Sequence, residues 1–193
     1  MKYRPLVVAG LILGLGGVVA YRSAPWEDRS LPVREKAADF TLLNQNEETV
    51  SLGDSRGKVR VLSFFYVRCA NAGMCPAETK KLVEVQDALR SRTDDVVFLR
   101  VTFDPERDRA KDLRKYAGIY GVDLENWHFL TGRPDEVAQV CSAFDINRKK
   151  KDMGQFKHSM LVYLIDRDGR VRRVYAGTFW TPEDVRDDIE SLL

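Results

Sequence analysis

The sequence predicts an α/β domain with a mixed central sheet flanked by helices and a β-hairpin extension at its amino-terminal side. Three observations carry this expectation. Apolar runs of strand length alternate with segments of helical spacing between residues 60 and 144. A hairpin and a closing helix follow that alternation, which makes the sheet mixed rather than parallel. A second, smaller hairpin precedes it.

The elements follow in order. Phe40–Leu43 and Thr49–Leu52 are short strands around the polar turn Asn44–Glu48. Arg60–Val67 (RVLSFFYV) is a buried strand, Pro76–Ser91 a helix, Asp95–Thr102 (DVVFLRVT) a strand and Arg109–Tyr120 a helix. Trp127–Leu130 is a short strand. Asp135–Phe144 is a helix whose apolar face is marked by Val137, Val140 and Phe144. Met160–Ile165 and Val171–Tyr175 form a hairpin across Asp166–Gly169, and Thr181–Leu193 is the last helix, with Thr181, Pro182 and Asp184 as its cap. No internal repeat is visible.

Length and charge limit the function classes. A chain of 193 residues suits one domain with a full core, and 44% hydrophobic content excludes a disordered tail. The net charge is +2, but Lys2, Arg4 and Arg22 lie in a first stretch of 25 residues without any acid. Residues 26–193 therefore carry 28 basic and 29 acidic groups. That balance argues against nucleic acid as a partner, because phosphate binding needs a concentrated positive surplus.

Pro5 to Tyr21 (PLVVAGLILGLGGVVAY) is an uncharged run of 17 residues behind Lys2 and Arg4, the layout of a signal sequence or signal-anchor. As a helix it would extend about 25 Å, short for a span. Cleavage after Ala20 is disfavoured by Tyr21 and Arg22, so residues 1–21 are expected to remain as an anchor with the rest of the chain outside. Residues 22–37 (RSAPWEDRSLPVREKA) read as a tether, and the domain is expected over residues 38–193. Export places the thiols in an oxidising milieu, where they persist if paired, metal-bound or kept reduced.

This order of elements resembles thioredoxin, in which the first core strand ends at a loop that opens a helix at the carboxyl edge of the sheet, where sites of α/β folds form. Here that loop is Arg68-Cys69-Ala70-Asn71-Ala72-Gly73-Met74-Cys75-Pro76. Pro76 suits the first helical position, so Cys75 is expected to face unpaired N–H groups and the positive end of the helix dipole, which lowers a thiol pKa. Two cysteines five residues apart can close a disulfide or hold one soft ion. An inert structural disulfide or a pair of buried thiols is the plain alternative. His158 precedes the hairpin strand, and in a thioredoxin-like layout that turn lies over the redox loop. Its imidazole would complete a three-coordinate N,S,S site suited to Cu(I). Cys141 reads as a buried core thiol, His128 as a packing or edge residue, and Met74 as a hydrophobic lid, with a thioether that supplements the site as the lesser alternative. Arg148-Lys149-Lys150-Lys151 reads as a solvated charged loop, with docking to an acidic partner as the lesser alternative.

Taken together, FFYVRC with its second cysteine before proline, Val101-Thr102-Phe103-Asp104-Pro105-Glu106-Arg107-Asp108, Asn126-Trp127-His128-Phe129-Leu130-Thr131-Gly132, and His158-Ser159 followed by Tyr163-Leu164-Ile165-Asp166 resemble the Sco/SenC family. These are membrane-tethered, thioredoxin-like copper proteins that serve assembly of the Cu-A centre of cytochrome c oxidase. The resemblance implies copper, as Cu(I) with Cu(II) as the alternative state, and gives the ligand positions to Cys69, Cys75 and His158. It implies as partner the Cu-A domain of cytochrome c oxidase subunit II or another exported copper protein. With the anchor, it implies a bacterial inner-membrane protein whose domain faces the periplasm. One departure stands out: the family loop usually separates its cysteines by three residues, and here five intervene. The resemblance also suggests that Asp104 or Asp108 influences the site, whereas the residues alone read Asp104 as a helix cap before Pro105.

Two functions fit this reading. Cys69 and Cys75 as thiolates and His158 as neutral imidazole could hold copper and pass it on, or the cysteine pair could act as a thiol-disulfide oxidoreductase on exported cysteine pairs without metal. A general thioredoxin-type reductase is disfavoured because the loop is not C-x-x-C. A peroxidase reading of Met74-Cys75-Pro76-Ala77-Glu78 fails because Ala72 and Arg68 stand where Thr and Pro belong.

Overall fold

A computed structural model describes residues 31–151 and 154–193. The expected anchor at residues 1–21 and the expected tether as far as residue 30 lie outside the described residues. Among the described residues no helix is long and apolar enough to cross a membrane.

The elements are β1 (Thr41–Asn44), β2 (Thr49–Ser51), β3 (Val59–Phe65), α1 (Cys75–Ala88), β4 (Val96–Thr102), α2 (Ala110–Tyr120) and β5 (Trp127–Thr131). They continue with α3 (Pro134–Ala143), β6 (Arg148–Lys150), β7 (Phe156–His158), β8 (Leu161–Ile165), β9 (Val171–Ala176) and α4 (Pro182–Glu190). Seven strands form one sheet in the order β2-β1-β5-β4-β3-β8-β9, and β6 and β7 form a separate two-stranded ladder. Strands β3, β4 and β5 are parallel, while β8 runs antiparallel to β3. The mixed, thioredoxin-like sheet expected from the sequence is therefore present.

All seven residues of β3 and of β4 are buried, as expected for central strands covered on both faces. Trp127 stacks on Phe98 at 4.8 Å between ring centroids, and Phe144 at the end of α3 packs tilted on Phe64 of β3 and edge to face on Tyr163 of β8. Thr181 caps α4 reciprocally with Asp184, as its sequence predicts: the Thr181 hydroxyl accepts from the Asp184 N–H, and the Thr181 N–H donates to the Asp184 carboxylate.

The expected amino-terminal hairpin is present as β1 and β2, and it joins the main sheet through β1, which pairs with β5. Two features differ from the sequence expectation. Packing begins before Ala38. Leu31 and Ala37 are buried, Arg34 and Ala37 donate backbone hydrogen bonds to Val171 and Gly169, and Lys36 bridges to Arg170. The last residues assigned to the tether thus pair with the turn that leads into β9 and with its first residue, an arrangement their polar, proline-bearing composition conceals. Finally, Arg148–Lys150 is a strand rather than a solvated loop. It pairs with Phe156–His158 in the register Arg148↔His158, Lys149↔Lys157, Lys150↔Phe156.

Candidate metal centre

Strand β3 delivers the chain to the carboxyl edge of the sheet, and α1 receives it again at Cys75 with Pro76 in its first turn. The Thr79 hydroxyl donates to the Cys75 carbonyl at 2.7 Å, tying the first turn of the helix together. At the start of the loop, the Val67 N–H donates to the Asp108 carboxylate at 2.9 Å, as does the Thr102 hydroxyl at 2.6 Å. Between the cysteines, Asn71 builds an Asx turn: its side-chain oxygen accepts from the Gly73 N–H at 3.0 Å and its carbonyl from the Met74 N–H at 3.0 Å. That turn takes up the extra residues of the loop. The five-residue spacing still brings both sulfurs to one place.

The Sγ atoms of Cys69 and Cys75 and a ring nitrogen of His158 all lie within 4.8 Å of one another. His158 Nε2 stands 3.8 Å from Cys75 Sγ. On the far side of the ring, Nδ1 lies 2.8 Å from the Ser159 carbonyl. A carbonyl can only accept, so Nδ1 carries the proton and Nε2 turns its lone pair toward the sulfurs. Three donors set in a plane at ~2.2 Å from one ion would be about 3.8 Å apart. The Cys75–His158 pair already has that spacing. The rest of the cluster needs to contract by at most about 1 Å, which the half-exposed Cys69 on its loop can absorb.

Two linkages hold the loop and the β6–β7 ladder in this relation. Gln155 donates to the Arg68 carbonyl at 3.1 Å and accepts from the Ala70 N–H at 3.2 Å, while its Oε1 also accepts from the Tyr66 hydroxyl at 2.8 Å. The His158 ring packs against Phe103 at 4.6 Å and meets Tyr66 edge-on at 5.9 Å. Phe156 closes the same aromatic wall against Tyr66 and Phe103.

The two cysteines ionise unequally. A hydrogen bond from the Cys75 thiol holds the Cys69 thiol down at about 4 against the cost of its partial burial. Cys75 is pushed up, because its proton is held by the Cys69 sulfur and because it is fully buried. The expectation that Cys75 is the activated thiol is thereby corrected. Burial and the neighbouring anion outweigh the helix dipole at Cys75, and the thiolate forms on Cys69.

Below the cysteines lies a buried ion pair that sequence reasoning missed. Glu78, one turn along α1 from Cys75, accepts from Arg100 of β4 at 2.8 Å, and both side chains are fully buried. Burial raises the Glu78 pKa to about 7 against the pull of the guanidinium. Arg100 also donates to the Thr79 hydroxyl at 2.5 Å and lies over the Phe65 ring at 4.8 Å. An arginine inside an otherwise apolar strand is the signal that could have found this pair, since a buried cation requires a partner. Gln155 gives no such signal.

The remaining candidates fall outside the cluster. Cys141 is buried on α3, as expected, with its pKa pushed up to about 11 by burial. His128 is half-buried on β5, and burial lowers its pKa. Asp104 caps no helix: Arg109 is the residue that precedes α2, and the Asp104 carbonyl accepts from the Arg107 and Asp108 N–H groups in a turn. Asp108 is the acid that touches the site, through Val67, and burial raises its pKa to about 6. Met74 is half-buried at the residue before α1.

Comparison with known proteins gives one consistent result. A family profile described as SCO1/SenC matches residues 29–193. The SCO1 protein homolog of Bacillus subtilis is 32% identical over 164 residues, covering 83% of this chain and 84% of that protein. The solved structure of Bradyrhizobium japonicum ScoI with copper bound superposes with a TM-score of 0.72 at 28% identity, over 82% of this chain and all of the other. The structure of BsSco, described by a disulfide switch and as a member of the Sco family of cytochrome c oxidase assembly proteins, superposes at 0.70 with 31% identity, over 81% and 92% of the two chains.

Proposed function

Because the chain belongs to the SCO1/SenC family, we propose that it is a membrane-tethered copper-binding protein that delivers copper to the Cu-A site of cytochrome c oxidase. Cys69, Cys75 and His158 are the ligands in this reading. The observation that carries it is the convergence of their three donor atoms within 4.8 Å, in a soft N,S,S set suited to Cu(I). The copper-bound relative supports the same cargo. Uptake requires the proton of Cys75 to leave as well, and the buried Arg100 offsets part of the resulting negative charge. Release proceeds by exchange: a ligand of the recipient takes the place of one thiolate, and the half-exposed Cys69 is the one placed to leave first. The apolar run at residues 5–21 supports an inner-membrane anchor with the domain in the periplasm.

A second reading rests on the unequal ionisation of the cysteines. A Cys69 thiolate beside a protonated Cys75 is the arrangement of an attacking and a resolving thiol. Such a pair would give two electrons and the Cys75 proton to a disulfide in the recipient, the second proton coming from solvent, and would close into a disulfide itself, leaving the recipient's thiols reduced for metal.

Titration of the reduced full-length chain with Cu(I) against a competing chelator separates the readings. One tight equivalent lost in Cys69→Ser, Cys75→Ser and His158→Ala is the expected result. Tight binding indifferent to His158→Ala would remove the imidazole from the site, and no tight binding would leave dithiol chemistry alone. The reductase reading predicts turnover on an oxidised Cu-A domain, and a pair whose potential is too high to reduce that domain would exclude it.

A further inference from the structure

The buried ion pair is joined to Cys75 by a chain of hydrogen bonds. Arg100 of β4 donates to the Thr79 hydroxyl at 2.5 Å and to Glu78 at 2.8 Å, so its fork engages two successive residues of α1. The Thr79 hydroxyl has one proton, and the Cys75 carbonyl, 2.7 Å away, can only accept it. The Tyr116 hydroxyl, also at 2.7 Å, must therefore donate to Thr79. A charged donor on β4 thus acts on the backbone of Cys75 through a single hydroxyl, whose remaining lone pair Tyr116 of α2 occupies. Stability does not account for the pair. Both side chains are fully buried, yet Glu78 Oε2 and Arg100 Nε have no hydrogen-bond partner among the described residues. Buried ions so placed contribute little to stability, and apolar side chains of like volume often serve a fold as well or better. The charges do reach the sulfurs. A hydrogen bond to Cys69 and burial push the Cys75 thiol up, and the Arg100 guanidinium is among the groups that pull it back.

We propose that Arg100 is a positioning residue of the cysteine pair whose charge sets the balance between its dithiol and disulfide forms, with Glu78 holding part of that charge in check. The inference rests on Cys69 and Cys75 being the working thiols, which both readings above require, and adds what regulates them. The reduced pair carries one negative charge, on Cys69, and the disulfide carries none. A fixed cation beneath the sulfurs therefore favours the reduced form, which is the form that takes up a metal ion. An anion beside that cation opposes the effect. The two side chains of the pair thus pull the same equilibrium in opposite directions, which a contact that only supports the fold does not do.

The test needs no copper. The full-length chain is equilibrated at pH 8, above the Glu78 value of about 7, in graded mixtures of glutathione and its disulfide, and the fraction of alkylatable Cys69 is read. In this exchange the Cys69 thiolate attacks glutathione disulfide and expels one glutathione, and Cys75 closes the protein disulfide and expels the second. Two electrons pass to the glutathiones, which take up the Cys75 proton and one from solvent. Glu78→Gln keeps the shape of the side chain and an acceptor for Arg100 but removes the opposing charge. It should lower the constant for oxidation about 10-fold, a rise of about 30 mV in potential. Glu78→Leu with Arg100→Met removes both charges, and its constant should lie at or above that of the wild type. An unmoved constant in Glu78→Gln overturns the proposal. The same fall in the apolar double variant also overturns it, because lost packing rather than the charge of Arg100 would then be the cause. A chain that binds no copper and still shows the Glu78→Gln shift would sink the proposed function and leave the role of Arg100 standing, and one that binds copper with an unmoved constant would do the reverse.

Discussion

The side-chain amide of Gln155 brackets Cys69, donating to the carbonyl of the residue before it and accepting from the N–H of the residue after it. A side chain thus satisfies the loop as a neighbouring strand would, and it comes from the segment that carries His158. Gln155→Ala removes these bonds at roughly 1 kcal/mol each, so Cu(I) binding measured against a chelator should weaken about 5- to 30-fold. In the His158→Ala background the same change should cost much less, because the relation it maintains is already lost. Equal losses in both backgrounds would make the amide a support for the loop alone.

The pH profile of Cys69 labelling follows from its depressed pKa. Iodoacetamide should modify it at a nearly constant rate from pH 8 down to about pH 5, with the rate falling only as pH passes through about 4. Cys75→Ala removes the principal donor and should move the midpoint up. The stabilisation of the fold from the ionised thiol is full above the ordinary thiol pKa of ~8.5 and is lost as pH falls through the folded value. A midpoint near 8.5 in the native protein would refute the assignment of the thiolate.

Removing one member of the buried Glu78–Arg100 pair strands the other. Arg100→Met should cost about 3–5 kcal/mol in urea denaturation, and Glu78→Leu with Arg100→Met should recover most of it. Because the Glu78 pKa is raised in the folded state, its contribution favours folding at low pH and is lost as pH rises through about 7. The Arg100→Met penalty should therefore be larger at pH 8 than at pH 5. A penalty independent of pH would mean that Glu78 is not the group left unpaired.

Leu31→Ala tests the packing ahead of β1. Leu31 is buried to 3% exposure, and its carbonyl accepts from Arg172 at 3.2 Å. Loss of the side chain should lower stability by about 2–4 kcal/mol while leaving Cu(I) affinity unchanged. No change in the urea midpoint would return these residues to the tether.

Cys141 should stay silent. Its burial predicts that the native protein reacts with thiol reagents first at the half-exposed Cys69, and at Cys141 only in denaturant. Cys141→Ala should leave the copper stoichiometry as it is, and a lost equivalent would place a third sulfur in the site.

Much of this architecture was legible because β3, β4 and the helices between them announce themselves by period, and the strand-loop-helix order located Cys69 and Cys75 without further information. His158 was legible through the analogy of layout, since nothing in Lys157-His158-Ser159 itself points to a pocket. What stayed hidden depends on pairing across sequence distance. Arg148-Lys149-Lys150 has the composition of a loop, and becomes a strand because Phe156–His158 offers it a ladder and Phe103 and Tyr66 offer that ladder an aromatic floor. The choice of Cys69 over Cys75 as the thiolate was likewise invisible, because the sequence shows the helix start but not how deeply each sulfur is buried.

Residues 34–37 pair with residues 169–171, where the chain enters β9, the outer strand on that side of the sheet. On the opposite margin β2 is three residues long. The covered start of β9 and the shortness of β2 both reduce the backbone that a neighbouring chain could pair with at the two borders.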